Sequence, residues 1–262
     1  MWQMKPRPKR APPLTPPPAP LGAAEWVRHA LGFPADTLQA SVLDTHGKRG
    51  VLNCSRQWGK STVTAAKAVH HAFHRAASLT LVVSPSARQS AEFLRKAAAF
   101  ARKLGISPKG DGDNQISLAF PNDSRIVGLP ATEATNRGFS AVSLLLIDEA
   151  ARVSDQLYMS LRPMIAVSAG SLWLMSTPFG KRGFFYETWA HGGPEWERIT
   201  APATDCPRIL PAFLDEERAT MGERCFRQEY MCEFEDSVSG VFSRDLLDAA
   251  ITPDVLPLPL GD

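Results

Sequence analysis

One loop constrains the fold of this chain more than any other part of its sequence. Residues 54–62 are Cys-Ser-Arg-Gln-Trp-Gly-Lys-Ser-Thr, between a short apolar run at 51–54 and an amphipathic stretch at 60–77. The apolar run predicts a buried strand, and the amphipathic stretch predicts a helix. A glycine followed by a lysine and a hydroxyl residue, in strand–loop–helix order, is typical of a phosphate-binding loop.

The residue types of this loop suit a nucleotide. Gly59 lets the backbone approach a phosphate closely, and the helix that follows offers free N–H groups. Lys60 would reach the β- and γ-phosphates, and the Ser61 hydroxyl would ligate Mg²⁺. The alternative is a basic helix start capped by Ser61. Cys54 departs from the usual pattern, which has glycine at that position. The candidate ATP-binding residues of the loop are Ser55, Arg56, Gln57, Trp58, Gly59, Lys60, Ser61 and Thr62.

A second apolar run ends directly in two carboxylates. Residues 142–147 predict a buried strand, and Asp148 and Glu149 follow it. Ligands of open α/β sheets bind at the carboxyl ends of the strands, so both acids would face the phosphate loop. Asp148 would hold the Mg²⁺ shell, and Glu149 would orient and deprotonate an attacking water. An acidic helix start is the alternative for the acids alone, but the loop and the acids together indicate nucleotide binding.

A third element is Ser176-Thr177-Pro178, at the end of a predicted strand over 171–176. Small hydroxyls beside a phosphate loop can sense the γ-phosphate and pass that state to the rest of a protein, which is a coupling role. The alternative is a polar strand end that Pro178 terminates.

Apolar strands alternate with helical patterns along most of the chain. This alternation predicts an α/β fold with a mostly parallel sheet covered by helices on both faces. A further strand is expected at 79–84, a hairpin at 116–129 and helices within 211–234. A helix over 86–104 is expected to bury an alanine-rich face, formed by Ala87, Ala91, Leu94, Ala98 and Ala101.

Residues 1–22 are predicted to form a separate, disordered tail. Eight of the first twenty residues are proline, which excludes a helix or a central strand. Of the 29 basic residues, four lie in the first ten, so 25 remain against 27 acidic residues. Whether the basic tail is a solvated leader or a binding arm stays open. No run approaches the ~18 apolar residues of a membrane span, and the four cysteines fit neither a disulfide scaffold nor a zinc knuckle.

These elements, in this order, resemble the ATPase domain of phage terminase large subunits, the DNA-packaging motor proteins. The resemblance covers about residues 33 to 242, and it rests on residues 55–62, 137–140 followed by 144–150, and 176–178. It implies a P-loop NTPase of the RecA-like (ASCE) type over 23–236, with a small helical lid over about 205–236. The replacement of the first loop glycine by Cys54 resembles the family's own deviant loop.

The resemblance also implies roles for three residues outside the general motif. Gln39 matches the upstream glutamine that contacts adenine; without the resemblance, an ordinary exposed glutamine is the alternative. Arg56 matches an arginine of the loop that stabilises γ-phosphate charge. Arg137 is a second catalytic candidate, acting on a neighbouring subunit, with a surface ion pair as its alternative. The sequence does not choose between Arg56 and Arg137.

The function implied is an Mg²⁺-dependent ATPase that drives double-stranded DNA into a viral procapsid. The implied partners are double-stranded DNA, the terminase small subunit, the portal protein and further copies in a ring, and the implied location is the host cytoplasm at the portal. Two alternatives remain: a helicase-like DNA-remodelling ATPase, and a nucleotide-binding assembly factor that does not hydrolyse ATP.

The C-terminal end departs from the usual family pattern. Residues 226–242 resemble the junction to an RNase H-like nuclease domain, and about twenty residues follow it. So short a segment cannot build a nuclease fold, so residues 237–262 are expected to be a linker. Asp245, Asp248 and Asp254 are then linker acids, and no DNA cleavage is expected from this chain alone.

Overall fold

The structure is a computed structural model that describes residues 22–113, 116–134 and 138–235. Its strands are β1 Arg49–Cys54, β2 Leu79–Ser84, β3 Ser117–Ala119, β4 Arg125–Pro130, β5 Val142–Asp148, β6 Ser171–Ser176 and β7 Trp196–Ala201. Its helices are α1 Ala23–Leu31, α2 Thr37–Asp44, α3 Lys60–His74, α4 Ala87–Lys103, α5 Ala131–Ala134, α6 Asp155–Leu161, α7 Gly183–His191, α8 Pro211–Met221 and α9 Glu223–Tyr230.

The described strands form one sheet in the order β3-β4-β2-β5-β6-β1-β7. All neighbouring strands are parallel except β3 and β4, which form the expected antiparallel hairpin. This arrangement confirms the mostly parallel sheet. Strands β1 and β5, which lead into the loop and the acids, lie on either side of β6.

Both faces of the sheet are buried, which explains why its strands are almost wholly apolar. In β6, Trp173 and Met175 belong to the core on one face, while Leu172 and Leu174 belong to the core on the other. Helices α1 to α4 contribute to the first core, and α6 and α7 contribute to the second. The phosphate loop and α3 therefore adjoin a sheet that is buried on both faces.

Helix α4 forms as expected, with Ser86 as its N-cap, and its expected inner face is partly right. Leu94 and Ala101 are buried as expected, but Ala87 and Ala91 are exposed, and Phe93 and Phe100 occupy much of the buried face. Burying large aromatic rings removes more apolar surface from water than burying alanine methyl groups, so the phenylalanines decide the orientation of the helix.

The last two helices stand apart from the two main cores. Helices α8 and α9 pack on each other through Leu214, Phe226 and Tyr230, with Ala203 completing a small core of their own. This pair occupies the region expected to form the helical lid. No helix within the described residues combines the length and the hydrophobicity needed to cross a membrane.

Several sequence predictions lie outside the described residues. They concern residues 1–21 of the tail, Arg137, and residues 236–262 with Asp245, Asp248 and Asp254. The domain boundaries drawn from the sequence stay predictions.

Candidate active site

The phosphate loop connects β1 to α3 and turns sharply at its end. Gly59 is the N-cap of α3 with φ 103°, a left-handed conformation that favours glycine. A Cβ on Gly59 would stand 3.0 Å from the Gln39 Nε2, so the Gln39 amide would have to shift slightly to accommodate one. The backbone conformation is therefore the main reason for glycine at this position.

The loop and the two acids meet at the carboxyl edge of the sheet. The Lys60 Nζ donates a hydrogen bond to the Glu149 Oε1 at 2.5 Å, and the Ser61 hydroxyl donates to the Asp148 Oδ2 at 3.3 Å. Glu149 has φ 52° and ψ 43°, which is strained for a residue other than glycine. The structure therefore brings together the four residues to which the sequence assigned phosphate, metal and water contacts.

Burial shifts the pKa values of the ionisable groups in this cluster. Burial alone would lower the pKa of Lys60, but its anionic neighbours outweigh burial and raise it, so the ammonium stays charged. Burial raises the pKa of Asp148, and the charge of Lys60 offsets part of that effect. Burial also raises the pKa of the Cys54 thiol to about 12, which keeps it neutral behind the loop. Burial thus makes the ionised form of Asp148 costly, and a cation beside the carboxylate would lower that cost.

A cavity of about 360 Å³ adjoins the acids. Ser61, Asp148 and Glu149 line one side, and the first turns of α4 line the other through Arg88, Gln89, Glu92, Phe93 and Arg95. Two buried polar atoms at the start of the loop, the Asn53 Oδ1 and the Ser55 Oγ, have no hydrogen-bond partner within the described residues. A space beside two carboxylates and unpaired polar atoms near a phosphate loop suit a polar ligand.

Arg56 lies against α9. Its Nε donates to the Glu229 Oε2 at 2.5 Å, and its backbone N–H donates to the Glu229 carbonyl at 3.0 Å. The side-chain hydrogen bond with Glu229 raises the pKa of Arg56. A role for Arg56 at a γ-phosphate would require its side chain to leave Glu229.

Gln39 is buried beside the loop, so the alternative of an ordinary exposed glutamine is wrong. Its Oε1 accepts the Asp36 N–H at 3.2 Å, and its Nε2 donates to the Trp58 carbonyl at 3.2 Å. The Asp36 carboxylate in turn accepts the Gln39 N–H, which completes a capping box at the start of α2. Both ends of the amide are occupied, and contact with a base would require it to exchange these bonds.

Ser176, Thr177 and Pro178 are buried at the end of β6, between the strands of the loop and of the acids. The Ser176 hydroxyl donates to the Thr177 carbonyl at 2.8 Å, and the Cys54 thiol donates to the Ser176 carbonyl at 3.7 Å. The segment is therefore in contact with the loop through Cys54.

Among the described residues, two charged residues contact the loop that were not predicted from the sequence. Glu229 binds Arg56, and Arg208 donates to the Trp58 carbonyl at 2.7 Å. Both come from the C-terminal part of the chain, about 150 residues or more from their partners. No local pattern marks either one, because each contact depends on how the region after β7 packs against the loop.

Comparison with known proteins bears on this architecture. A family model described as the N-terminal part of the terminase large subunit, T4likevirus-type, matches residues 51–249. The chain belongs to this terminase family. The terminase large subunit of Thermus phage G20c is 25% identical over 249 residues, a match that covers 81% of this chain and 51% of that protein. The chain thus spans about half the length of this curated terminase relative.

Solved terminase structures share the fold. The large terminase ATPase domain of Thermus phage P74-26 matches with a TM-score of 0.72 at 22% identity, covering 82% of this chain and 100% of that one. The large terminase of another thermophilic bacteriophage, in complex with ADP, matches with a TM-score of 0.63 at 11% identity, covering 76% and 53%. These similarities confirm the RecA-like fold expected from the sequence.

Proposed function

We propose that this terminase chain is an Mg²⁺-dependent ATPase and the motor part of a subunit that translocates double-stranded DNA into a procapsid. The observation that carries the proposal is the convergence of Lys60 and Ser61 with Glu149 and Asp148 at one edge of the sheet. Family membership supports the packaging role, and the ADP complex of the thermophilic phage terminase supports nucleotide binding by a chain of this fold.

The positively and negatively charged residues of the site would have separate roles in hydrolysis. Lys60 would neutralise the β- and γ-phosphates, with loop residues 55–62 holding the rest of the triphosphate. Glu149 would then be released from Lys60, because the ammonium exchanges a carboxylate for a phosphate. A free carboxylate beside the γ-phosphate can take a proton from the attacking water. The same ion pair would thus hold both groups ready before ATP arrives.

The donor set fits Mg²⁺. The Ser61 Oγ and the Asp148 Oδ2 are oxygen ligands 3.3 Å apart, and Mg²⁺ prefers such ligands together with phosphate oxygens. Bound there, Mg²⁺ would neutralise charge that develops on the phosphates. Ser61 and Asp148 are therefore the proposed metal ligands.

Coupling to movement would start from the Ser176–Pro178 segment. Phe179, the next residue, lies under the Arg152 guanidinium at 4.4 Å from its ring centroid and under Arg182 at 4.9 Å. Arg152 ends the short helical turn that follows Glu149, so the acid and the coupling segment are joined through Phe179. Such a contact can transmit a shift at the γ-phosphate to α7, which begins after Arg182.

The remaining roles complete the proposal. Gln39 would contact adenine, and Arg56 or Arg137 would stabilise transition-state charge, Arg137 from a neighbouring subunit. The chain would act in the host cytoplasm as part of a homo-oligomeric ring at the procapsid portal, with the small subunit and portal protein as partners. Helices α8 and α9 would act as the lid.

Phosphate release from ATP with Mg²⁺, with and without linear double-stranded DNA, tests this function. We would compare the wild type with Glu149→Ala and with Glu195→Ala, a control at an exposed glutamate just before β7. We expect turnover that DNA stimulates, that Glu149→Ala abolishes and that Glu195→Ala preserves. Nucleotide binding without turnover under every condition would instead favour the assembly factor. Turnover unchanged in Glu149→Ala would refute the assigned base.

A further inference from the structure

One arginine joins three separate parts of the chain at the phosphate loop. Arg208 lies between β7 and α8, in the region that leads into the proposed lid. Its Nη1 donates to the Asp36 Oδ2 at 2.9 Å, and its Nη2 donates to the Trp58 carbonyl at 2.7 Å. The first contact reaches the N-cap of α2, and the second reaches the middle of the loop.

The Trp58 carbonyl is the focus of this network. It accepts one hydrogen bond from the Gln39 Nε2 at 3.2 Å and a shorter one from Arg208. In a trans peptide the carbonyl and the next N–H point in opposite directions. Two donors that fix the Trp58 carbonyl therefore also fix the direction of the Gly59 N–H, at the point where the loop meets the start of α3.

We propose that Arg208 is a positioning residue of the phosphate loop, which it holds in its nucleotide-binding form through the Trp58 carbonyl. The proposal rests on the proposed function, because it assigns this form of the loop to nucleotide binding. Asp36 orients the guanidinium, because its carboxylate accepts a hydrogen bond from the Nη1 and thereby directs the Nη2 towards the loop. The charge-assisted hydrogen bond from Arg208 to the carbonyl is stronger than the neutral hydrogen bond from the side-chain amide of Gln39.

The two donors on Trp58 have different roles when a nucleotide arrives. If Gln39 turns its amide toward adenine, the carbonyl loses one donor at the moment when the loop must hold the phosphates. The hydrogen bond from Arg208 does not involve adenine, so it keeps the carbonyl in place. The loop therefore stays ordered while Gln39 exchanges partners.

Affinity for ADP and ATP-γ-S, measured by calorimetry on the whole chain, tests this role. We expect Arg208→Ala to raise both dissociation constants by about tenfold, as for the loss of one charge-assisted hydrogen bond. Arg208→Lys offers a single cationic centre and should restore part of the affinity. Asp36→Asn keeps a good N-cap but weakens the contact with the Arg208 guanidinium. It should therefore reduce nucleotide affinity less than Arg208→Ala does. In turnover, KM for ATP should rise more than kcat falls.

The matched control is Arg125→Ala. The Arg125 side chain is 37% exposed against 46% for Arg208, and its Nη1 also donates to an aspartate, the Asp111 Oδ2 at 3.2 Å. It lies at the amino end of β4, away from the phosphate loop, so this variant should leave both dissociation constants unchanged. Hydrogen exchange of residues 55–60 and 36–44 should show faster exchange in the loop of Arg208→Ala. Faster exchange confined to 36–44, with dissociation constants within twofold of the wild type, would mean a structural role only and would overturn the proposal. A wild type that binds neither nucleotide would instead refute the proposed function.

Discussion

Lys60 and Glu149 are 89 residues apart in the sequence, yet the Lys60 Nζ donates a hydrogen bond to the Glu149 Oε1 at 2.5 Å. Both side chains are mostly shielded from solvent, with exposed fractions of 16% and 19%. Each therefore neutralises a charge that would otherwise be costly to bury. The pair holds a cation and a carboxylate together at the carboxyl edge of the sheet, and under the proposed function it would separate when ATP binds.

Replacing Lys60 should abolish nucleotide binding and also weaken the fold. Lys60→Ala removes the phosphate contact and leaves Glu149 partly buried without its partner, which should cost about 1–3 kcal/mol in the free energy of unfolding. Lys60→Arg keeps the charge, but the guanidinium is planar and larger, so we expect it to restore stability better than activity. Denaturant unfolding and ATP turnover, measured on the same preparations, separate the two effects. Equal recovery of both by arginine would contradict this expectation.

The Arg56–Glu229 ion pair predicts an unusual gain in affinity. Under the proposed function, Glu229 would compete with a phosphate for Arg56, so Glu229→Gln should release the arginine and lower KM for ATP a few-fold. Arg56 is 56% exposed, which limits the strength of the pair and the size of the effect. If Arg56 stabilises transition-state charge, Arg56→Ala should reduce kcat by roughly 10³-fold or more. Initial rates over a range of ATP concentrations measure both constants, and a KM that rises in Glu229→Gln would refute the competition.

The burial of His71 is expected to make the folding stability of the chain fall at acidic pH. Burial lowers the pKa of His71 to about 4, helped by the charges of Arg75 and Lys67, and the ring contacts the Ser143 hydroxyl at 2.9 Å. The unfolded chain takes up a proton near pH 6.5 while the folded chain does not, so stability should fall as the pH drops from 6.5 towards 4. His71→Gln should lose less stability than the wild type between pH 7 and 5, by on the order of 1 kcal/mol. Urea unfolding at both pH values checks this, and parallel losses would contradict it.

The sequence predicts the placement of the central residues because parallel strands bring their carboxyl ends to one edge of a sheet. Once residues 51–54 and 142–147 are recognised as buried parallel strands, Lys60 and Asp148 are expected at the same edge of the sheet. The fold class follows from the same apolar runs. Nothing in this reasoning depends on side-chain detail, and the structure confirms it through β1 and β5 on either side of β6.

Contacts between distant segments could not be predicted in this way. Arg208 and Glu229 reach the loop from a region with no strand to fix its position, and any of several charged residues there could have done so. The inner face of α4 was assigned correctly only in part, because alanines at helical spacing gave a plausible pattern, whereas the bulk of Phe93 and Phe100 decides the packing. Tertiary packing and ion pairing thus determine what sequence periodicity leaves open.

Replacing Asp148 is expected to change stability and activity in opposite directions. Its side chain is buried, and burial raises its pKa, so the ionised form destabilises the nucleotide-free fold at neutral pH. Asp148→Asn removes that charge, keeps the shape and should raise the melting temperature of the nucleotide-free chain. It should also remove most Mg²⁺-dependent turnover, because an amide is a weak ligand for a hard cation. Enzymes commonly hold such costly groups where function requires them.

Ser61→Ala is the matched comparison for Asp148→Asn, because it removes the other proposed Mg²⁺ ligand without removing a buried charge. It should reduce turnover and raise the Mg²⁺ concentration needed for half-maximal rate, but it should not raise the melting temperature. Thermal unfolding in EDTA, together with Mg²⁺ titrations of ATP turnover, measures both properties. A lower melting temperature for Asp148→Asn would show that the attraction between Asp148 and Lys60 outweighs the cost of burial, and would contradict the prediction.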